Sequence, residues 1–298
     1  MAVRSDSVCI LGTPASGKST YLIALYYSLT EDYRYQNYLV SFPKGDDSEM
    51  YYKDQLTKLK ENGFLDPTLR SNLYDAGMLV KDHTGRNVLR VSTKDASGED
   101  LEQLFRTDYR NLRAYLRNEN ETQLKMEDSL ILDLMKSSQN FIFFWDPDIK
   151  ADGYNQTIFL KNIVRTLEEI HGDDWSKLAV ALLITKSDAF PHVNNTYPYL
   201  FKHSSDLITR LKAHLGTRFV TFPISSLGGF RWVMGREKKG MGCKKELAPK
   251  NVVEPLIWFQ RLESENQPFY RHGGSRGGMH LYETPIDHDG WVSDSGPF

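Results

Sequence analysis

The chain has 298 residues, 40% of them apolar and 26% charged, enough to bury a full core and ordinary for a globular protein. Its formal charge of −2 exerts no general pull on nucleic acid or an anionic membrane, and no apolar run is long enough to span a bilayer. Residues 1–7 lack the basic-then-apolar layout of a signal peptide, and two cysteines, Cys9 and Cys243, make no disulfide framework, so a reducing cytoplasm is expected.

Residues 8–11 form an apolar run that stops at Gly12 and predict a buried strand containing Cys9. Residues 18–29 place Leu22, Leu25, Tyr26 and Leu29 at helical spacing, so the glycine-rich segment between joins a strand to a helix. Residues 38–42 read as a strand ended by Pro43, and residues 46–61 as a surface helix carrying Met50, Leu56 and Leu59. Residues 77–81 and 88–93 flank a His83-Thr84-Gly85-Arg86 turn and predict a β-hairpin. Arg90, Ser92 and Lys94 share one face of its second strand, and that face is expected to be partly exposed. Helices are predicted over 99–117 and 126–136, then a buried strand over 141–145 closed by Asp146-Pro147. An amphipathic helix over 157–170 precedes the most apolar strand of the chain, 178–184. A helix over 205–215, a strand over 219–224 and a last helix over 251–262 follow. Residues 228–250, rich in Gly and Lys, read as irregular, and their Lys238-Lys239 and Lys244-Lys245 pairs as solvated loop charges. Few apolar anchors occur after Glu263, so residues 265–298 are expected to form a flexible tail behind a domain spanning 1–264. Strands alternating with helices predict an α/β three-layer sandwich: a mostly parallel sheet, covered on both faces, with one antiparallel hairpin strand.

Gly12-Thr13-Pro14-Ala15-Ser16-Gly17-Lys18-Ser19 matches G-x-x-x-x-G-K-[ST] in full, in the strand-to-helix setting the motif requires. Its glycines let the backbone close round phosphate oxygens with N–H groups pointing inward. Lys18 would neutralise the β- and γ-phosphates, Ser19 would offer its hydroxyl to Mg²⁺, and the helix start at Thr20 adds partial positive charge. Thr185-Lys186-Ser187-Asp188 follows the most apolar strand and matches [NT]-K-x-D. A carboxylate at Asp188 accepts from both guanine N1–H and the 2-amino group; adenine offers neither donor. The Lys186 stem would pack on the base. Asp95-Ala96-Ser97-Gly98 matches D-x-x-G, with Asp95 holding Mg²⁺ through water and the Gly98 N–H sensing the γ-phosphate.

In this order the motifs resemble those of TRAFAC-class, Ras-like GTPases over most of residues 8–262, with long insertions at about 31–65, 100–136 and 228–250. The Gly-Lys-Ser-Thr-Tyr-Leu start, the Phe-Phe-Trp-Asp-Pro strand end and Val253-Glu254-Pro255-Leu256-Ile257-Trp258 resemble a bacterial group of double-GTPase domains. The resemblance implies a GTP-hydrolysing switch with Mg²⁺, and for that group a place in bacterial conflict or defence systems. It also implies a threonine that joins Mg²⁺ only in the triphosphate state: Thr68 first, with Thr84 second because it lies inside the tight turn. Ser225-Ser226-Leu227 resembles the S-A-[KL] element whose backbone N–H reads guanine O6. Glu99 stands where Ras-like enzymes carry a water-orienting glutamine, and Pro14 where they carry a glycine, which together imply slow turnover or a partner that supplies the missing groups. Catalysis would then rest on Lys18, Gly98 and Glu99, with a protein effector or activator reading the switch segments and insertions. The same residues also fit a nucleotide-dependent scaffold with little hydrolysis. A P-loop ATPase fits them if Thr185–Asp188 is a plain turn.

Overall fold

The interior strands are near-continuous apolar runs, and their period of two sends successive side chains to opposite faces, so the sheet is buried on both. The computed structural model describes residues 4–43, 47–62, 65, 74–75, 77–85, 87–91, 94–95, 98–117, 124–148, 153–228, 231–234, 239–242 and 247–266. Its strands are β1 (Arg4–Leu11), β2 (Tyr38–Ser41), β3 (Tyr74–Asp75), β4 (Met78–Asp82), β5 (Asn87–Val91), β6 (Lys94–Asp95), β7 (Ser138–Trp145), β8 (Ala179–Ile184), β9 (Phe219–Pro223), β10 (Arg231–Met234) and β11 (Lys239–Gly242). Its helices are α1 (Lys18–Glu31), α2 (Ser48–Asn62), α3 (Gly98–Glu102), α4 (Tyr109–Leu116), α5 (Met126–Ser137), α6 (Gly153–His171), α7 (Thr196–Leu215) and α8 (Glu254–Asn266).

Seven strands form one sheet in the order β2-β4-β5-β1-β7-β8-β9. β1 runs parallel to β5 and β7, and β8 parallel to β7 and β9; β4 alone runs against its neighbours β2 and β5. The mostly parallel sheet with one antiparallel strand is the architecture expected from the sequence. From β1 the chain builds outward through the hairpin on one side and through β7, β8 and β9 on the other. The order therefore reverses between β1 and β7, and in open α/β sheets a crevice for ligands opens at the carboxyl ends of strands at such a point.

Phe141, Phe143 and Trp145 of β7 enter one core with Val180, Leu182 and Ile184 of β8; Ile142, Phe144, Ala181 and Leu183 enter the other. The first core is covered by α3 to α7, the second by α1, α2 and α8. Tyr21 of α1 meets Phe144 edge-on at 5.4 Å and ties that helix to β7. Arg90 on β5 is half-buried between buried Leu89 and Val91, in line with the polar face expected there.

Three helices differ from the sequence-based expectation. The single helix predicted over 99–117 is divided into α3, a π-helical turn at Gln103–Thr107, and α4. In that wider turn the Phe105 carbonyl accepts from Asn162 Nδ2 on α6 at 2.6 Å, and the Phe105 ring meets Phe159 edge-on. Helix α7 starts at Thr196 instead of 205 and is kinked at Ser204, whose φ is −154°. Pro198 is tolerated there because it lies in the first turn, where its missing N–H leaves no helical bond unmade. The last helix is shifted to Glu254–Asn266, and Asn251 and Val252 lead into it without helix.

Within the segment read as irregular, β10 and β11 pair as an antiparallel hairpin. Its root is closely built. Ser225 and Lys250 exchange two backbone hydrogen bonds, at 3.1 and 2.8 Å. Gly228 adopts φ +74°, and a Cβ there would stand 1.9 Å from the Ala248 carbonyl oxygen, so only glycine fits. Residues 267–298, Cys243, Lys238, Lys244 and Lys245 lie outside the described residues.

Candidate functional site

The glycine-rich loop leaves β1 at the switch point and turns into α1. Gly12 is required by close approach: a Cβ would stand 2.8 Å from Ser16 Oγ and 2.9 Å from Phe144 Cβ. The Thr13 carbonyl gathers the loop, accepting from Ser16 N–H at 3.3 Å, Ser16 Oγ at 2.8 Å and Lys18 Nζ at 2.9 Å. Lys18 Nζ also donates to the Gly12 carbonyl at 3.0 Å, so the buried ammonium is held across the mouth of the loop. Pro14 is partly buried and Ala15 exposed, the latter at φ 56°, a left-handed conformation that curls the loop. The Ala15 and Gly17 N–H groups have no partner among the described residues. Helix α1 begins without a side-chain cap, so the N–H groups of its first turn, from Lys18 through Ser19 and Thr20, point to this end of the sheet. The Ala15 and Gly17 N–H groups, the start of a helix and one lysine gathered in one loop suit phosphate. The Thr13 hydroxyl is buried beside it without a partner among the described residues.

The second loop follows β8, every residue of which is buried. A Cβ at Gly17 would stand 3.8 Å from Thr185 Cγ2, which makes the two loops neighbours. Thr185 N–H donates to the Trp145 carbonyl at 3.0 Å and Ser187 N–H to the Ile224 carbonyl at 3.1 Å, so the loop is pinned to the ends of β7 and β9. Lys186 stands at φ 55°, and its carbonyl accepts from Ala189 and Phe190 N–H, closing a turn round Asp188. Asp188 Oδ2 is buried and has no hydrogen-bond partner among the described residues. A buried carboxylate oxygen left unsatisfied is expensive, so such an atom marks a missing donor.

Ser225, Ser226 and Leu227 lie at the end of β9 beside this turn. The Ser225 N–H is used by the Lys250 carbonyl and its Oγ accepts from Gly228 N–H at 2.9 Å, whereas the Ser226 N–H has no partner among the described residues. The Leu227 N–H is likewise without a partner among the described residues, so of the three backbone donors only that of Ser225 is taken.

Sequence reasoning missed Asp146. It ends β7, is 2% exposed, and accepts from Lys186 Nζ at 2.6 Å; Asp148 stands 3.5 Å from the same ammonium. Gln156 grips the Asp146 backbone from both sides, accepting its N–H and donating to its carbonyl, each at 2.9 Å. The signal available was an acidic residue closing the apolar run 141–145 at the end where the motifs converge. Behind it the His203 ring lies between those of Trp145 and Tyr199, tilted against each at 6.5 and 4.6 Å. Burial, with the Lys202 and His192 charges, holds the His203 imidazole below the usual histidine range.

The remaining expected residues are placed unevenly. Asp95 lies on β6, paired with Tyr74 of β3, and Gly98 and exposed Glu99 begin α3. Ala96, Ser97 and Thr68 lie outside the described residues, as does the Asp95 side chain. Thr84 is excluded. It sits before β5, which runs parallel to β1, and so at the end of the sheet opposite the glycine-rich loop; its N–H and hydroxyl are taken by Asp82 Oδ1.

Residues 9–132 match the family model described as Double-GTPase 1, a span that holds the glycine-rich loop and the Asp95–Gly98 segment and stops before Thr185. Among solved structures, the chain is similar to the Arl6 BBS3 small GTPase from Trypanosoma brucei with bound GppNp, at 15% identity and a TM-score of 0.41, covering 88% of this chain and 98% of that one. It is also similar to an ADP-ribosylation factor-like GTP-binding protein (small COPII coat GTPase SAR1) from Encephalitozoon cuniculi in complex with GDP. There the identity is 12% and the TM-score 0.35, over 88% of this chain and 82% of that one. No curated protein matches the chain.

Proposed function

We propose that this chain is a Ras-like P-loop GTPase of the double-GTPase type, as the match over residues 9–132 supports, and that it binds GTP with Mg²⁺, hydrolyses it slowly and presents the difference to a protein partner. The observation that carries the reading is Asp188 Oδ2, a buried acceptor without a donor, beside a phosphate cradle. Guanine supplies the missing donors through N1–H and its 2-amino group; adenine does not. The Ser226 or Leu227 N–H would meet an acceptor, as guanine O6 requires. Lys18 and the loop N–H groups bind phosphate, and the Ser19 hydroxyl is the ligand this chain offers Mg²⁺ beside Lys18. When bound, Mg²⁺ neutralises charge on the β- and γ-phosphates. By resemblance, Asp95, Thr68 and Gly98 complete the switch segments, and a cytoplasmic role in bacterial conflict or defence systems follows. No helix of the described residues is long and apolar enough to cross a membrane.

Asp188→Asn tests the reading. Asn presents a donor where the carboxylate only accepts, so preference is expected to move from GTP toward XTP, whose 2-oxo group accepts. Competition binding with GTP, XTP and ATP measures it; a variant as selective for GTP as the wild type removes Asp188 as the base reader. A second reading, a nucleotide-dependent scaffold with little hydrolysis, is favoured by Glu99 and Pro14 at the reaction end.

A further inference from the structure

Asp188 can read a base only if its charge is not already answered, and the nearest cation in sequence, Lys186, is two residues away in the same turn. The structure keeps them apart. Lys186 Nζ lies instead on Asp146 Oδ2 at 2.6 Å, and Asp188 Oδ2 is left without a partner. Asp146 is itself held rigidly. Its Oδ1 accepts from Asp148 N–H at 2.9 Å, and the buried Gln156 side chain brackets its backbone. One carboxylate oxygen therefore has a backbone donor and the other the lysine, which fixes the direction from which Lys186 is drawn. Lys186 is also the residue at positive φ in the turn, so the pull on its side chain bears on the backbone that carries Asp188.

We propose that Asp146 is a positioning residue for base selection: by sequestering the Lys186 ammonium it keeps Asp188 unpaired and open to guanine. The inference rests on the guanine reading above. Without the Asp146 charge, the lysine keeps only the longer contact with the more exposed Asp148, at 3.5 Å, and can swing onto Asp188 to satisfy the acceptor that should meet the base. Phosphate binding, through Lys18 and the glycine-rich loop, is untouched by that swing.

The test is equilibrium binding of GTP, ATP and inorganic triphosphate, each with Mg²⁺, to the full chain. Asp146→Asn is expected to weaken GTP by about tenfold or more while leaving triphosphate within about twofold. Asp146→Glu, which keeps the charge, retains most of the selectivity. The double variant Asp146→Asn/Lys186→Met removes the cation that would collapse onto Asp188 and recovers the preference for GTP over ATP; it applies equally if Asp146→Asn alone does not fold. Equal losses of GTP and triphosphate in Asp146→Asn, or no recovery in the double variant, would show a merely structural role and overturn the proposal. A GTP-selective wild type with an indifferent Asp146→Asn overturns it alone. A wild type that binds GTP and ATP alike removes the guanine reading together with it.

Discussion

Glu99 stands exposed in the first turn of α3, one residue after Gly98. An acidic side chain there is favoured by the helix dipole, which gives it a structural reason to be present. It is a poor replacement for a glutamine facing a γ-phosphate, since an ionised carboxylate only accepts and meets oxygens already negative. Pro14 adds to the deficit by removing a backbone donor from the loop. Glu99→Gln is therefore expected to hold GTP affinity within a few-fold and to leave intrinsic hydrolysis unchanged or faster. Single-turnover cleavage of GTP by the purified protein with Mg²⁺ measures this. A large fall in rate would identify the carboxylate as a catalytic base, and slow turnover would have to be abandoned.

The joints between elements rest on single polar contacts set in apolar surroundings, and one of them titrates. His171 ends α6, its ring Nε2 lies 3.0 Å from the Met135 carbonyl of α5, and its ring stands edge-on to Phe141. Burial outweighs the help of that carbonyl and holds the imidazole below the usual histidine range. The unfolded chain thus binds the proton more tightly, so this contribution to stability is complete above the ordinary histidine pKa. It is lost as pH falls through that value toward the lower folded one. His171→Gln keeps a donor for Met135 without a titration. Its stability relative to wild type is expected to improve as pH falls from neutral into that window, as urea unfolding at several pH values would show. His203 retains its own, separate dependence. What could be read at this scale followed one rule. The strands 141–145 and 178–184 were legible because each is an uninterrupted apolar run between turn signals, and the loops after β1, β8 and β9 because they follow such runs directly. The π-helical turn was not, since nothing in residues 99–117 marks a carbonyl that Asn162 will claim from another helix. Nor was the start of α7, where Pro198 suggests a break although it lies in a first turn that tolerates it. Asp146 escaped for the same reason as the π-turn: its partner is Lys186, a neighbour only once β7 and β8 lie side by side.

Across the whole molecule, the motifs meet because parallel strands deliver every loop that follows them to one edge of the sheet. β1, β7, β8 and β9 end there with Gly12, Asp146, Thr185 and Ser225 in turn. Thr84 was misjudged by overlooking that same rule, as it precedes its parallel strand instead of following it. The base-reading edge also roots an excursion of the chain. At Ser225–Gly228 the backbone departs, and at Leu247–Lys250 it returns, the two feet joined by the Ser225–Lys250 pair and by the contact of Gly228 with Ala248. Joined feet make the length between them thermodynamically cheap: closing a loop twice as long costs only about 0.6 kcal/mol more in entropy. The segment between the feet is therefore open to evolutionary change in size and sequence without disturbing either the sheet or α8. Replacing residues 229–246 by a short Gly-Ser linker that spans the feet should leave the melting temperature within a few degrees and guanine selectivity intact. Gly228→Ala, a far smaller change, should lower both by driving the feet apart. The difference between those two outcomes, read by thermal unfolding and GTP binding, would mark Gly228 and Ser225 as the point past which the chain can be rewritten and before which it cannot.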